Sequence, residues 1–342
     1  MTHNPNDPVL SVRDLKVHFK AGGRGLFKQP AIVHAVDGIS FDVPRKSTFG
    51  IVGESGSGKS TTALAIMRLV PITAGDIELD GHDLSRSEDD ALRELRKRVQ
   101  IIFQDPYSSL NPRTRAGAIV REPLDLMDIG EPETRDDVVA DLFAKVGLRP
   151  EQRALFPHQF SGGQRQRIGV ARALASRPDV IVCDEPVSAL DVAIQAQILN
   201  LLRSLQEEFG LTYVFISHDL GVVQYICDEI AVMYLGQIAE RADRISLFKR
   251  PLHPYTWALL SAVPSADPKR KRKRARVHLQ GDPPSPIDLP SGCRFAGRCP
   301  FADDKCRAEP PASRQIFENH WVACHKVSDA GQPPHAAETN HS

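Results

Sequence analysis

Apolar and polar positions alternate through Val9–Phe19 and again through Ile32–Val43, a period of two that predicts two antiparallel strands, each with one exposed face. Between them, Gly22 to Pro30 is glycine-rich and reads as a loop. The pattern then changes. Thr48 to Val52 is an apolar run ending at Gly53, and a helical period occupies Lys59 to Leu69, so a buried strand, a glycine loop and a helix follow in order. A hairpin is expected over Gly75–Leu84 with its turn at Asp80-Gly81, and mixed helical and irregular sequence over Glu88–Pro157. Two further buried strands are predicted, Val180–Cys183 and Thr212–Ile216, each ending at a polar pair: Asp184-Glu185 and Ser217-His218. Carboxyl ends of parallel strands line the ligand crevice of open α/β sheets, so these pairs are expected to converge on the glycine loop. Beyond Tyr234 the periodicities thin into proline-rich text. The expected organisation is an α/β domain over 1–250, a small Pro/Cys-rich appended domain over 251–330 and a disordered tail over 331–342. No internal repeat is visible.

Composition narrows this picture. The chain has 342 residues, 41% hydrophobic and 25% charged, an ordinary globular balance that excludes a wholly disordered or collagen-like chain. No run approaches the roughly 18 consecutive apolar residues of a membrane-spanning helix, and Met1 to Pro8 contain no signal-peptide core. The expectation is a cytoplasmic protein unless a partner holds it at a membrane. Basic and acidic residues balance at 43 each, but Lys269–Arg276 holds seven basic residues, leaving 36 basic against 43 acidic elsewhere. That balance does not indicate a general nucleic-acid surface. The block itself reads as a solvated linker or as a contact for anionic lipid headgroups. Four of six cysteines, Cys293, Cys299, Cys306 and Cys324, crowd near the C-terminus, which indicates a local site and not a chain-wide disulfide framework.

Gly53-Glu54-Ser55-Gly56-Ser57-Gly58-Lys59-Ser60 fits G-x-x-x-x-G-K-[ST], with the required strand before it and helix after it, beginning Lys59-Ser60-Thr61. Glycines let backbone N–H groups curl around phosphate oxygens, the helix N-terminus adds positive potential, and Lys59 neutralises the outer phosphates. Ser60 is a magnesium ligand in this arrangement. Val180–Glu185, VIVCDE, delivers two adjacent carboxylates that need a cation: Asp184 helps hold magnesium and Glu185 polarises an attacking water as general base. In Phe160–Arg167, FSGGQRQR, a serine cap and two glycines open the helical stretch Ile168–Leu174 and form a second anion site.

This last run resembles the signature motif of the ABC ATPase family. The family's other landmarks follow in order: Gln104 after an apolar strand, Ser188-Ala189-Leu190-Asp191 after the two acids, and His218 after the last strand. Together they span most of residues 9–240. The resemblance implies an α/β P-loop NTPase core with an antiparallel β subdomain and a helical subdomain, and ATP and Mg2+ as cofactors. It also implies that Gln104 senses the γ-phosphate and magnesium, and that His218 contacts the γ-phosphate. Ser161, Gly162, Gly163 and Gln164 would bind the ATP of an opposite subunit, so complete sites need a dimer. Phe19 is the candidate for stacking on adenine, with a core role as the alternative.

Gln104–Pro112 (QDPYSSLNP), Pro186–Asp191 (PVSALD) and His253-Pro254-Tyr255-Thr256 resemble the oligopeptide and dipeptide importer branch, and its F-type subunit more than its D-type. The proline-rich tail with its cysteines matches that branch. The spacing Cys293-x5-Cys299-x6-Cys306-x17-Cys324 alone leaves an iron–sulfur cluster, zinc, or disulfides and free thiols open, with His320 and His325 as alternative ligands. Resemblance to the branch favours a [4Fe-4S] cluster as a structural staple. It further implies two membrane permease subunits, a second ATPase (identical or D-type), an external peptide-binding protein and a place on the cytoplasmic face of the bacterial inner membrane. Tyr107 and Leu110 either pack into the cleft that receives a permease helix or belong to the core. The rival functions are a nickel-importer or exporter ATPase, and a soluble ABC ATPase acting on ribosomes or DNA. Against the last, the chain carries neither a second cassette nor a long coiled coil.

Overall fold

The structure, a computed structural model, describes residues 7–22, 31–262 and 284–334. The basic block at 269–276, most of the Gly22–Pro30 insertion and most of the expected tail lie outside them. The strands are β1 (Pro8–Ala21), β2 (Ala31–Pro44), β3 (Thr48–Val52), β4 (Ala74–Leu79), β5 (His82–Asp83) and β6 (Val99–Ile102). They continue as β7 (Val180–Asp184), β8 (Thr212–Ser217), β9 (Glu229–Tyr234), β10 (Gln237–Asp243), β11 (Arg314–Phe317) and β12 (His320–Val322).

Two sheets result. One is antiparallel, in the order β2-β1-β4-β5, and the other has eight strands in the order β11-β12-β10-β9-β3-β8-β7-β6. Within the second, β9, β3, β8, β7 and β6 run parallel. Every residue of β3, β7 and β8 is buried, as expected of central parallel strands covered on both faces. A core of Leu10, Val12, Leu15, Ile39 and Phe41 from the first sheet meets Phe49, Ile51, Val182 and Ile216 from the second. Phe41 and Phe49 stack at 4.6 Å across that seam. Helices Ala116–Leu126, Arg135–Lys145 and Gly162–Leu174 form the helical subdomain around Ile119, Val120, Leu142, Phe143 and Ile168.

The regular pattern does not thin out at Tyr234. β10 follows at once, then helices Arg244–Lys249 and Pro254–Ala262. The segment after Arg250 is fastened to the core sheet, because β12 pairs with β10 and β11 with β12. At the junction His253 is buried, and its Nδ1 accepts from the Tyr255 amide at 3.0 Å, capping the helix that starts at Pro254. Burial holds this imidazole down to about 4, against its ordinary 6.5. An unfolded chain therefore binds the proton more tightly than the folded one. The contribution is complete above pH 6.5 and is lost as pH falls toward 4, amounting to about 3 kcal/mol over that window. His253→Asn keeps an acceptor for the Tyr255 amide and removes the titration. Denaturant unfolding at pH 7 and pH 5 should show a smaller acid loss in the variant than in the parent, and equal losses would rule this histidine out.

Candidate nucleotide site

The loop from Gly53 to Ser60 closes between β3 and the helix Lys59–Ile66. Gly58 sits at φ 104°, and a Cβ there would collide with the Ala35 carbonyl oxygen, so this turn requires glycine. Ser57 is buried, with its amide on the Glu54 carbonyl at 3.2 Å. Lys59 is also buried, and its Nζ donates to the carbonyls of Gly53 and Glu54, each at 2.9 Å. Burial lowers the lysine's proton affinity, while Glu185, Asp184 and Glu54 oppose that shift. An ammonium stripped of water and aimed into an amide-rich loop is a receptor for polyanionic phosphate.

The ends of β7 and β8 bring the expected polar pairs to this loop. Ser60 Oγ donates to Asp184 Oδ1 at 2.9 Å, joining two hard oxygen ligands before any metal arrives. Burial raises the Asp184 proton affinity; the Ser60 hydrogen bond opposes this, Glu185 reinforces it and Lys59 opposes it. A divalent cation fits that donor pair and would relieve the crowding of the two carboxylates. Glu185 occupies the left-handed region at φ 47°, a conformation costly for a residue with a side chain and one that clusters at functional sites. The turn aims its carboxylate: Oε2 accepts from Gln104 Nε2 at 2.9 Å and lies 3.0 Å from His218 Nδ1. Phe19, Ser55, Gly56, Gly58, Lys59, Ser60, Thr61, Gln104, Glu185 and His218 line one cavity of about 720 Å3, large enough for a nucleotide. Phe19, at the end of β1, is about one-third exposed on its wall and is not a core residue.

The signature residues lie elsewhere on the surface. Ser161 Oγ accepts from the Gln164 amide at 3.3 Å and Gln164 Oε1 from the Ser161 amide at 3.0 Å, a reciprocal cap that starts the helix at Gly162. A Cβ on Gly163 would come within 2.5 Å of Ile194 Cγ2, so glycine is what lets this helix approach the next. Neither Ser161 nor Gly163 borders the cavity of Lys59; Ser161 is exposed and Gly163 is buried. Tyr107 is exposed beneath Arg165, 3.9 Å from its ring centre, whereas Leu110 is buried in the core and is not available to a partner.

Sequence reasoning missed how residues after Arg250 reach the phosphate loop. The Glu54 amide donates to Tyr255 Oη at 2.9 Å, and its carboxylate takes a two-pronged contact from Arg298 at 2.6 and 3.2 Å. Arg298 immediately precedes Cys299. Cys293, Cys299, Cys306 and Cys324 are all free; Cys299 feels charge on Cys293 and Cys306, and Cys324 feels charge on Cys293 and Cys299. Burial pushes the Cys299 thiol up to about 11 and Cys324 up to about 12. Among the described residues no three of these sulfurs lie within 4.8 Å of one another, whereas a single zinc with bonds of about 2.3 Å would hold them roughly 3.8 Å apart. The alternative ligands are engaged elsewhere: His320 Nε2 lies 2.7 Å from Glu240 Oε1, and His325 Nε2 is 2.9 Å from the Glu309 carbonyl.

A phosphate loop joined to paired carboxylates and a separate signature helix defines an ATPase of the ABC class. The ABC transporter family model matches residues 36–188, and the model for the oligopeptide/dipeptide transporter C-terminal region matches 239–306. The oligopeptide transport ATP-binding protein AppF of Bacillus subtilis is 47% identical over 330 residues, covering 96% of this chain and all of that one. A probable peptide ABC transporter ATP-binding protein, y4tS of Sinorhizobium fredii, is 48% identical over 94% of this chain and 90% of its own length. Among solved structures, the dimeric post-hydrolysis ATP-binding cassette MJ0796 bound to ADP and Pi matches with a TM-score of 0.61 and 28% identity, over 69% of this chain and 98% of that one. The chain belongs to the ABC transporter ATPase family, in its oligopeptide/dipeptide transporter branch. ATP and magnesium are the cofactors of this class, and its cassettes work as dimers with membrane permeases. Among the described residues no helix is long and apolar enough to cross a membrane.

Proposed function

We propose that this chain is the ATP-hydrolysing subunit of a bacterial importer of di- and oligopeptides, bound to two permease subunits on the cytoplasmic face of the inner membrane. The observation that carries this reading is the direct fastening of the oligopeptide-type extension onto a complete phosphate loop, through Tyr255 and Arg298 on Glu54. Lys59 and the loop amides bind the phosphates, Ser60 and Asp184 with Gln104 hold magnesium, and Phe19 stacks on adenine. A magnesium ion held there would supply positive charge against the negative charge that develops on the transferred phosphoryl group. Glu185 takes a proton from the attacking water, and His218 and Gln104 hold its carboxylate in place and report on the γ-phosphate. Ser161, Gly162, Gly163 and Gln164 complete the ATP site of a second ATPase, either another copy or a D-type relative. Closing and reopening of that dimer drives the permeases, which with an external binding protein select the peptide.

Residues 1–250 form the ATPase unit, 251–330 the extension and 331–342 a tail. Four free cysteines close together in the extension of an oligopeptide-type ATPase support a [4Fe-4S] cluster on Cys293, Cys299, Cys306 and Cys324, with zinc as the weaker alternative. Such a cluster would serve as a structural staple behind Arg298.

Tagged protein recovered from native membranes in mild detergent, without oxygen, should carry two multi-spanning permeases, a second ATPase and iron. Cys299→Ser should lose the iron. Recovery free of permeases, with ribosomal or DNA-associated partners, would defeat the transport reading. Unchanged iron in the serine variant, or zinc in its place, would defeat the cluster.

A further inference from the structure

His18 on β1 lies opposite His34 on β2, and Asp37 follows on the same strand. His18 Nε2 is 3.1 Å from Asp37 Oδ1 and 3.2 Å from His34 Nδ1. Among the described residues this is the one set of three histidine, cysteine or acidic side chains whose ligand atoms all lie within 4.8 Å of one another. The arrangement overcommits a single nitrogen. If His18 Nε2 carries a proton, that proton points at the carboxylate and leaves the second contact with, at best, a share of a forked bond. If it is bare and accepts from His34, its lone pair faces a carboxylate oxygen without a proton between them. A cation at the centre satisfies all three atoms at once. Bonds of about 2.0–2.1 Å at near-tetrahedral angles place ligand atoms roughly 3.1–3.4 Å apart, the separation of the two contacts here.

We propose that His18, His34 and Asp37 form a binding site for a first-row divalent transition-metal ion of the zinc type, with a fourth position open to water. Two imidazoles select such an ion over magnesium or calcium, which take oxygen ligands. Asp37 offers one oxygen only, because its Oδ2 is held by Arg294, which also donates to the Leu235 carbonyl. That contact fixes the carboxylate's direction, as outer partners of metal ligands do, and its positive charge keeps the site weaker than a structural zinc centre. The position gives the ion a consequence. Phe19 follows His18 in sequence and Val33 precedes His34, and both line the nucleotide cavity, while the His34 amide donates to the Pro286 carbonyl at 3.0 Å. An ion here ties β1 and β2 together beside the adenine wall, with the extension touching both its ligand Asp37 and His34.

Tag-free, iron-loaded full-length protein titrated with Co2+ should take up one equivalent, with visible d–d bands but no thiolate-to-cobalt charge transfer, and release it to Zn2+. His18→Ala and His34→Ala should each weaken this uptake by more than the roughly 10–100-fold typical of losing an outer partner, with iron content and far-ultraviolet circular dichroism unchanged. Should the alanine variants not fold, His18→Gln retains a hydrogen-bonding group and reads the same loss. Equal uptake by the variants and the parent, a charge-transfer band that places the cobalt on the cysteines, or no uptake by the parent at millimolar Co2+ would each overturn the site.

Discussion

Glu185→Gln should reduce steady-state ATP hydrolysis by roughly 10²–10⁴-fold, the usual contribution of a positioned general base, while leaving nucleotide binding intact. The variant preserves side-chain volume, and glutamine can still meet Gln104 or His218 at the distances of 2.9 and 3.0 Å now spanned from Oε2. What is lost is the capacity to take a proton from water. In the proposed site phosphate binding rests on Lys59 and the loop amides, and the proposed magnesium donors Ser60 and Asp184 are separate from the substituted atom. Since hydrolysis is the step that reopens an ABC dimer, the variant should accumulate as an ATP-loaded dimer in the presence of magnesium. Phosphate release and size-exclusion chromatography with and without ATP measure the two effects. Turnover near that of the parent protein would remove Glu185 from the role of base, and lost turnover with lost ATP binding would mean the substitution had damaged the cavity instead.

Much of this site is legible along the chain because its parts are local. The glycine loop, the acids ending β7 and the cap at Ser161 are each set by a few adjacent residues, and fully buried strands announce themselves as apolar runs. Even the meeting of Ser60 with Asp184, 124 residues apart, follows from the rule that parallel strands present their carboxyl ends together. The seam between core and extension is different. β10 on the core side reads Gln-Ile-Ala-Glu-Arg-Ala-Asp, and β12 on the extension side is only three residues long, so neither gives a usable period. Both carry polar side chains at fully buried positions, Glu240 and His320, which sequence patterning assigns to solvent. The hold of Arg298 on Glu54 spans 244 residues and that of Tyr255 on its amide spans 201, and no local pattern encodes either. His253-Pro254-Tyr255-Thr256 is visible as a motif, but its reason, a capped helix that sends one hydroxyl to the phosphate loop, belongs to the tertiary structure.

Glu240→Leu should destabilise the protein by about 3–5 kcal/mol, the cost of leaving several buried donors without their acceptor. Glu240 is fully buried on β10 and has three partners: the Leu252 amide at 2.7 Å, the His253 amide at 2.9 Å and His320 Nε2 at 2.7 Å. One carboxylate thus pins the chain leaving the ATPase core and the strand returning from the extension. Leucine fills similar space but strands two backbone donors and an imidazole away from water, each a loss of about 1–3 kcal/mol. The double variant Glu240→Leu, His320→Leu separates these terms. Replacing both members of a buried pair can be nearly neutral, so it should recover the imidazole's share, while the orphaned amides of Leu252 and His253 keep it below the parent. Loosening β12 also loosens the fragment that carries Arg298 and Tyr255, so ATP affinity should fall along with stability. Denaturant unfolding, limited proteolysis after Arg250 and nucleotide titration give the three readings. A single variant within about 1 kcal/mol of the parent, with protease resistance and ATP affinity retained, would show that strand pairing alone holds the extension to the sheet.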